Sequence, residues 1–348
     1  MSSGPVEHIT QHIQGDRGGV GGQSSTGSGG PGGFGDGPHF AYGIVGNVNV
    51  FANADTQDKV KAWLHPADVS QNQRAAEDQH YAPTGTWFEE TEEFKQWKST
   101  SASPLWLHGI SGCGKTILSS TIIRKLRDDG KTIAYFYFDT TDDRKQKLKD
   151  LLCTLIWRLW DSGSHVAAVV ESFWKSHANG AESPSNPTLL EILKKILHRF
   201  TAAVYIICDA LDESSEVDLV LDAINSIVNA NIDNVHVFLT SRSNITYGNE
   251  LFSTATAFSL TGPRVAQDIK SYLDHFLATD GKCKYWSNNI KNDVCKALLN
   301  GPDPMFRLVA LLLPTAFPAS RGNRPLGQYK NVERTFCLDL GCIFEHKY

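Results

Sequence analysis

A chain of 348 residues, 41% of them apolar, can bury one large domain or two. Its net charge of −5 comes without any basic block, so nucleic acid is not expected as a partner. The seven cysteines are scattered and odd in number, and none forms a C-x-x-C pair, which argues against a disulfide framework and a zinc site.

No charged-then-apolar leader opens the sequence, and its longest apolar stretch, Leu308 to Leu313, is far too short for a membrane span. A cytoplasmic protein in a reducing compartment is the expectation. Residues 1–38 form a glycine-rich tail with almost nothing to bury, expected to be a flexible coil. Residues 39–80 follow as a linker. Within it, His39 to Phe51 is apolar, uncharged and partly alternating: a packed strand, an ordered linker or a self-associating β segment. Val60, Trp63 and Leu64 mark a short helix over 55–64.

A turn-rich stretch, Tyr81 to Phe88, leads into a helix with Phe94 and Trp97 on one face. The apolar run Leu105-Trp106-Leu107 then enters Gly109-Ile110-Ser111-Gly112-Cys113-Gly114-Lys115-Thr116, followed by a helical pattern from Ile117. This is G-x-x-x-x-G-K-[ST] in its strand–loop–helix context, the phosphate-binding loop. Backbone N–H groups surround a phosphate only where no Cβ intrudes, hence Gly109, Gly112 and Gly114. The helix start adds free N–H groups and a positive dipole end. Ser111, Cys113 and Ile117 complete the expected nucleotide contacts, Lys115 reaches the β/γ-phosphates, and Thr116 ligates Mg²⁺. Cys113 at a helix N-terminus is expected to favour its thiolate and to react with alkylating reagents, the competing reading being a thiol turned into the helix–sheet interface and inert.

Thr132 to Phe138 reads as a buried strand, followed by amphipathic helices over Leu148–Leu159, Val166–Phe173 and Leu189–Leu197. Ala203 to Cys208 is a second buried strand, ending in Asp209-Ala210-Leu211-Asp212-Glu213. Carboxylates at that end of a parallel strand face the phosphate loop. Asp209 is the candidate Mg²⁺ ligand, Glu213 the candidate base for the attacking water, and Asp212 its alternative. The competing reading makes the acidic pair an N-cap for a helix over 214–228. Val235 to Leu239 ends in Thr240-Ser241-Arg242, where Arg242 either senses a γ-phosphate or is a solvated charge. A short strand over 257–260 and a helix from Val265 to Leu277 follow. The fold class is α/β, a P-loop NTPase parallel sheet with helices on both faces and a small partial helical region behind it. The core covers 81–262, the helical region 263–313, and an irregular tail 314–348.

Thr84-Gly85-Thr86-Trp87-Phe88, the phosphate loop, the Asp209–Glu213 run, Leu239–Arg242 and Asp303-Pro304-Met305-Phe306-Arg307 together resemble the fungal NACHT proteins. These are STAND-class P-loop NTPases with a nephrocystin-type N-terminal module. The resemblance covers roughly 80–312 and implies a nucleotide-driven signalling switch with signalling or self-associating protein partners. Leu308 stands where the family often has Trp, and the prolines and glycines after Leu313 break the pattern, so the C-terminal end reads as truncated or alternatively spliced. The expected cofactors are ATP or GTP with Mg²⁺, since a phosphate loop reads phosphates and not bases. Slow triphosphate hydrolysis is expected; the alternatives are a binding-only scaffold and, further off, a small-molecule kinase. Trp87 reads as a core aromatic or as a wall of the base pocket.

Overall fold

The computed structural model describes residues 54–100, 104–161, 166–230, 232–245, 251, 254–281, 283, 286–299 and 306. The 39–51 segment and the 314–348 tail lie outside these residues. Five strands form one wholly parallel sheet: β1 (Leu105–His108), β2 (Thr132–Tyr137), β3 (Val204–Asp209), β4 (Val235–Ser241) and β5 (Thr256–Ser259). Their order is β2-β3-β4-β1-β5. Every residue of β3 and β4 is buried. Since successive side chains point to opposite faces, both faces of the sheet are covered there. That explains why these strands read as mostly apolar without alternation.

The register fixes what meets at the C-terminal edge. Leu105 pairs with Phe238 on one side and Thr256 on the other, while Ile207 pairs with Phe238. Strand β4 is therefore inserted between the strand that feeds the phosphate loop and the strand that carries Asp209. All strands being parallel, their C-terminal ends share one edge.

Ten helices surround this sheet among the described residues. They are α1 (Ala54–Leu64), α2 (Ser70–Gln79), α3 (Glu92–Ser99), α4 (Lys115–Asp128), α5 (Leu148–Asp161), α6 (Ala167–Ser176), α7 (Asn186–Leu197), α8 (Val217–Val228), α9 (Pro263–Thr279) and α10 (Asn288–Leu299). Local chemistry sets several starts. Thr91 accepts a hydrogen bond from the Phe94 N–H at the head of α3, and Ser185 accepts one from Thr188 at the head of α7. Helix α2 was not legible: its buried residues are Gln73 and Ala76, so it has no apolar stripe. Gln73 instead accepts a hydrogen bond from the Tyr137 hydroxyl at 2.5 Å and donates to the Ser120 carbonyl at 3.0 Å. Val60, Leu64, Ala67 and Val69 join the same apolar core as the sheet, so the packed unit reaches ahead of residue 81.

An aromatic layer attaches the segment before β1. Phe88 packs edge-on to Phe258 with ring centres 5.1 Å apart, Phe94 lies 5.3 Å from Trp97, and Trp97 lies 5.6 Å from Phe238. Trp97 Nε1 donates to the Val237 carbonyl at 2.8 Å, and His236 Nδ1 donates to the Trp97 carbonyl at 2.8 Å. Helix α3 is thereby tied to β4 by both ring and backbone.

The Trp97→Phe variant keeps the ring but loses the indole donor. It is expected to lower the unfolding free energy by about 2 kcal/mol in a urea titration, with unchanged far-ultraviolet dichroism. A variant as stable as the parent removes this anchor from the account.

Candidate functional site

The phosphate loop turns on two glycines with left-handed backbones, Gly112 at φ 79° and Gly114 at φ 104°. Gly109 is small for another reason: a Cβ there would lie 2.9 Å from the Cys113 sulfur and 3.3 Å from the Leu260 carbonyl oxygen. Helix α4 begins at Lys115, so the first-turn N–H groups of Lys115, Thr116 and Ile117 have no intrahelical acceptor and face the loop. Lys115 Nζ lies over the loop, donating to the Gly109 and Ile110 carbonyls at 2.9 Å each.

Asp209, the last residue of β3, is 1% exposed. Its carboxylate accepts three hydroxyl hydrogen bonds, all of 2.7 Å: Thr116 to Oδ2, and Ser119 and Thr240 to Oδ1. Two of these donors come from α4 and one from β4. Burial pushes the Asp209 pKa above the ordinary carboxylate value, against the three hydroxyls and the Lys115 charge. The chain leaves β3 through Ala210, a non-glycine residue at φ 57°, whose N–H donates to Thr240 Oγ1 at 2.9 Å. A strained backbone held by a neighbouring strand fixes where the next carboxylates stand.

Asp212 and Glu213 sit in a single 3₁₀ turn, Leu211–Glu213. Helix α8 starts only at Val217, after Glu216, so the acidic pair does not cap it. Asp212 is taken up by Arg242, whose backbone N–H and Nε both donate to it at 2.9 Å. Glu213 Oε2 accepts from the Thr140 N–H at 3.2 Å. Desolvation raises the Glu213 pKa, as do the charges of Asp212, Asp139 and Asp209, while the Thr140 hydrogen bond opposes them.

These groups border one cavity of about 790 Å³, a size suited to a nucleotide. Ser111, Gly112, Cys113, Gly114, Lys115, Thr116 and Ile117 line it, together with Asp212, Glu213 and Arg242. Gly109 and Asp209 stand behind the wall. Ser119 and the Asp209 contact of Thr240 were not anticipated. Ser119 lies three residues after Thr116, on the same helix face, which is the pattern that could have revealed it.

Part of the cavity lining is aromatic. Trp87 is half-buried, both packed against Phe88 and Phe258 and lining the cavity. Asp268 of α9 accepts from Trp87 Nε1 at 2.8 Å and from the Gly85 N–H at 2.7 Å. Tyr81 stacks on His275 with ring centres 4.5 Å apart. Phe306, the described residue of the 303–307 motif, packs on Tyr272 and lies close enough to Gly114 that a Cβ there would be 3.4 Å from its ring.

Cys113 requires a correction. Its thiol is 2% exposed and points toward Gly109, and burial pushes its pKa above the ordinary thiol value despite Lys115 nearby. Desolvation opposes the helix N-terminus and the Lys115 charge here, and the buried thiol favours its neutral form over the expected thiolate. Peptide mapping after brief alkylation of the native protein should leave Cys113 unlabelled with or without Mg-nucleotide. Protection seen only with nucleotide would restore the reactive thiol.

The buried Asp209 yields a second expectation. A carboxyl group with a raised pKa destabilises the folded state progressively as pH rises above 3.8, fully so above its folded value, and the cost disappears as pH falls to 3.8 and below, where the unfolded group also protonates. Asp209→Asn should therefore melt at a higher temperature than the parent at neutral pH without nucleotide, the gap closing on acidification. The same variant should gain less thermal protection from Mg-nucleotide. A lower melting temperature at neutral pH would mean the carboxylate is stabilised in place by its three hydroxyls.

The family described as "Nephrocystin 3, N-terminal" matches residues 83–242, just under half of the chain. Among solved structures, the chain is similar to a DNA replication initiation factor at 14% identity and TM-score 0.38, over 68% of this chain and 61% of that one. It is similar to the Aeropyrum pernix ORC1 protein in complex with DNA at 16% identity and TM-score 0.42, over 79% and 65%. It is also similar to AMPPCP-bound DnaA from Aquifex aeolicus at 12% identity and TM-score 0.39, over 78% and 71%. The chain thus spans less than two thirds of the length of the first two. No curated protein matches it. The fold is that of P-loop NTPases, as sheet order and loop geometry show directly. Among the described residues, no helix is long and apolar enough to cross a membrane.

Proposed function

We propose that this chain is a NACHT-type signal-transduction NTPase that binds ATP or GTP with Mg²⁺ and hydrolyses it slowly to change conformation or assembly state. The observation that carries the reading is the 2.7 Å hydrogen bond between Thr116 Oγ1 and Asp209 Oδ2. It sets the phosphate-loop hydroxyl and the acidic strand end side by side, although 93 residues separate them.

The residues fit the group they would hold. One hydroxyl and one carboxylate are too few for an all-protein cage, and they suit a cation that keeps several waters and takes phosphate oxygens. Thr116 would hold Mg²⁺ directly and Asp209 through its water shell. Bound with the nucleotide, Mg²⁺ supplies charge neutralisation across the β- and γ-phosphates. Gly112 to Ile117 cradle the phosphates with backbone N–H groups, and Lys115 exchanges its two loop carbonyls for phosphate oxygens. Glu213, half-buried and with a raised pKa, orients and deprotonates the attacking water. Asp212 holds Arg242 at the same rim, where the free guanidinium nitrogens reach a γ-phosphate. The aromatic end, with Trp87, Tyr81 and Tyr272, is placed for the base. Buried free thiols at Cys113, Cys153 and Cys208 suit the cytoplasm.

The reading of a binding-only scaffold predicts no turnover, and one experiment separates the two. Lys115→Ala should weaken Mg-nucleotide binding by on the order of 10- to 100-fold while the protein stays folded. Glu213→Gln should keep the affinity and slow phosphate release by about 100-fold or more. Equal affinity of folded Lys115→Ala and parent removes the binding site. Unchanged turnover in Glu213→Gln with loss in Asp212→Asn would exchange the roles of the two carboxylates.

A further inference from the structure

Glu213 does not stand alone at the cavity rim. The loop after β2 folds back as a one-turn 3₁₀ helix, Asp143–Lys145, and ends at Gln146. The Gln146 side chain donates through Nε2 to the Thr140 carbonyl at 2.9 Å. The Gln146 main-chain carbonyl accepts the Ser215 N–H at 3.0 Å and the Ser214 hydroxyl at 2.8 Å. Thr140 in turn donates its N–H to Glu213. These contacts close a ring: Gln146 to Thr140, Thr140 to Glu213, and through Ser214 back to Gln146. The loop is itself anchored below. Lys145 is 6% exposed, pairs with Asp142 at 3.1 Å, and donates to Asn72 Oδ1 of α2 at 2.9 Å. Asn72 Nδ2 donates to Asp139 at 3.3 Å.

We infer that Gln146 is a positioning residue for the water-activating carboxylate, holding the loop that presents the Thr140 N–H to Glu213. Three physical points support this. Among the described residues no cation pairs with Glu213, Arg242 being engaged by Asp212, and the Thr140 N–H is the donor that orients it. A backbone donor on a loop points only as well as the loop is held; the Asp139 N–H ties the loop base to the Lys145 carbonyl at 3.2 Å, and the Gln146 amide is the side-chain clasp that holds Thr140 itself. Among the described residues, the hydrogen bonds of the ring reach neither the phosphate loop nor the Asp209 carboxylate, so opening it should alter water activation and leave nucleotide binding in place. A carboxylate displaced by even a fraction of its productive geometry loses much of its effect on the rate.

The inference rests on the reading of Glu213 as the base, and the test is built to tell the two apart. Hydrogen exchange is followed by mass spectrometry in the nucleotide-free full chain, on a peptide spanning 138–147. Gln146→Met keeps the length of the side chain and removes its donor; Gln146→Lys keeps a donor. Both Gln146→Met and Glu213→Ala should speed exchange at Thr140 severalfold. The double variant should add little to either, because opening a ring at one point opens it at the other. Gln146→Lys should stay near the parent. In parallel, single-turnover phosphate release from Mg-ATP and Mg-GTP should fall about tenfold in Gln146→Met with unchanged nucleotide Kd, and recover in Gln146→Lys.

Unchanged exchange in 138–147 on Glu213→Ala overturns the ring, whatever the activity. Loss of affinity in step with rate in Gln146→Met overturns the positioning role in favour of a general structural one. Coupled exchange with parental phosphate release in Gln146→Met, while Glu213→Gln is slow, also overturns it. Parental release in Glu213→Gln counts instead against Glu213 as base, leaving the ring to be judged by exchange.

Discussion

A single buried carboxylate organises the functional edge of this sheet. Asp209 is taken out of water at the end of β3 and satisfied by hydroxyls from α4 and β4. Burying an acidic group without such donors would be prohibitive, so the three hydroxyls are conditions for placing it there. Each of them also fixes something else. Thr116 sets the start of α4 and hence the loop before it, Ser119 sets the rotation of that helix, and Thr240 orients the Ala210 N–H and with it the turn to Asp212 and Glu213. The insertion of β4 between β1 and β3 is what makes this possible: with those two strands adjacent, no β4 hydroxyl would reach Asp209.

The opposite end of the cavity depends on a second constraint, the aromatic layer in front of β1. Phe88, Phe94 and Trp97 pin the 84–97 segment onto β4 and β5. Pinned in this way, Gly85 sits so close to α4 that a Cβ would lie 3.1 Å from Leu118. Asp268 then joins this segment to α9 through two short hydrogen bonds. The cavity is lined on its aromatic side by the same residues that hold the pre-strand segment, so packing and site geometry are one arrangement there.

Most of the sheet could be read from the chain because buried parallel strands leave a plain trace: Val204 to Cys208 and Val235 to Leu239 are apolar runs without alternation. The phosphate loop was legible since its glycines and lysine answer to local geometry. What stayed hidden was held by partners distant in sequence. Gln73 and Ala76 give α2 no periodicity, Lys145 reads as a surface lysine until Asn72 and Asp142 enclose it, and Asp268 is one polar residue in an amphipathic helix. Cys113 shows the converse failure. A local rule about helix N-termini pointed to a thiolate, and the tertiary contact with Gly109 buried the sulfur instead.

The adjacent carboxylates Asp212 and Glu213 show why sequence alone could only rank them. Both follow the same strand, both are acidic, and the family resemblance includes both. Their difference lies in what each meets across the fold. Asp212 has both carboxylate oxygens engaged by Arg242, one by the backbone N–H and one by Nε. A carboxylate so occupied is a strut: it sets the height of the arginine at the rim. Glu213 accepts the Thr140 N–H and borders the cavity, and burial raises its pKa, with the charges of Asp212, Asp139 and Asp209 adding to the rise. A base must hold its water and accept its proton, so the less satisfied carboxylate is the better suited. Sorting the pair therefore required β4 to deliver Arg242 and the loop after β2 to deliver Thr140, two contacts made over 30 and 73 residues of chain.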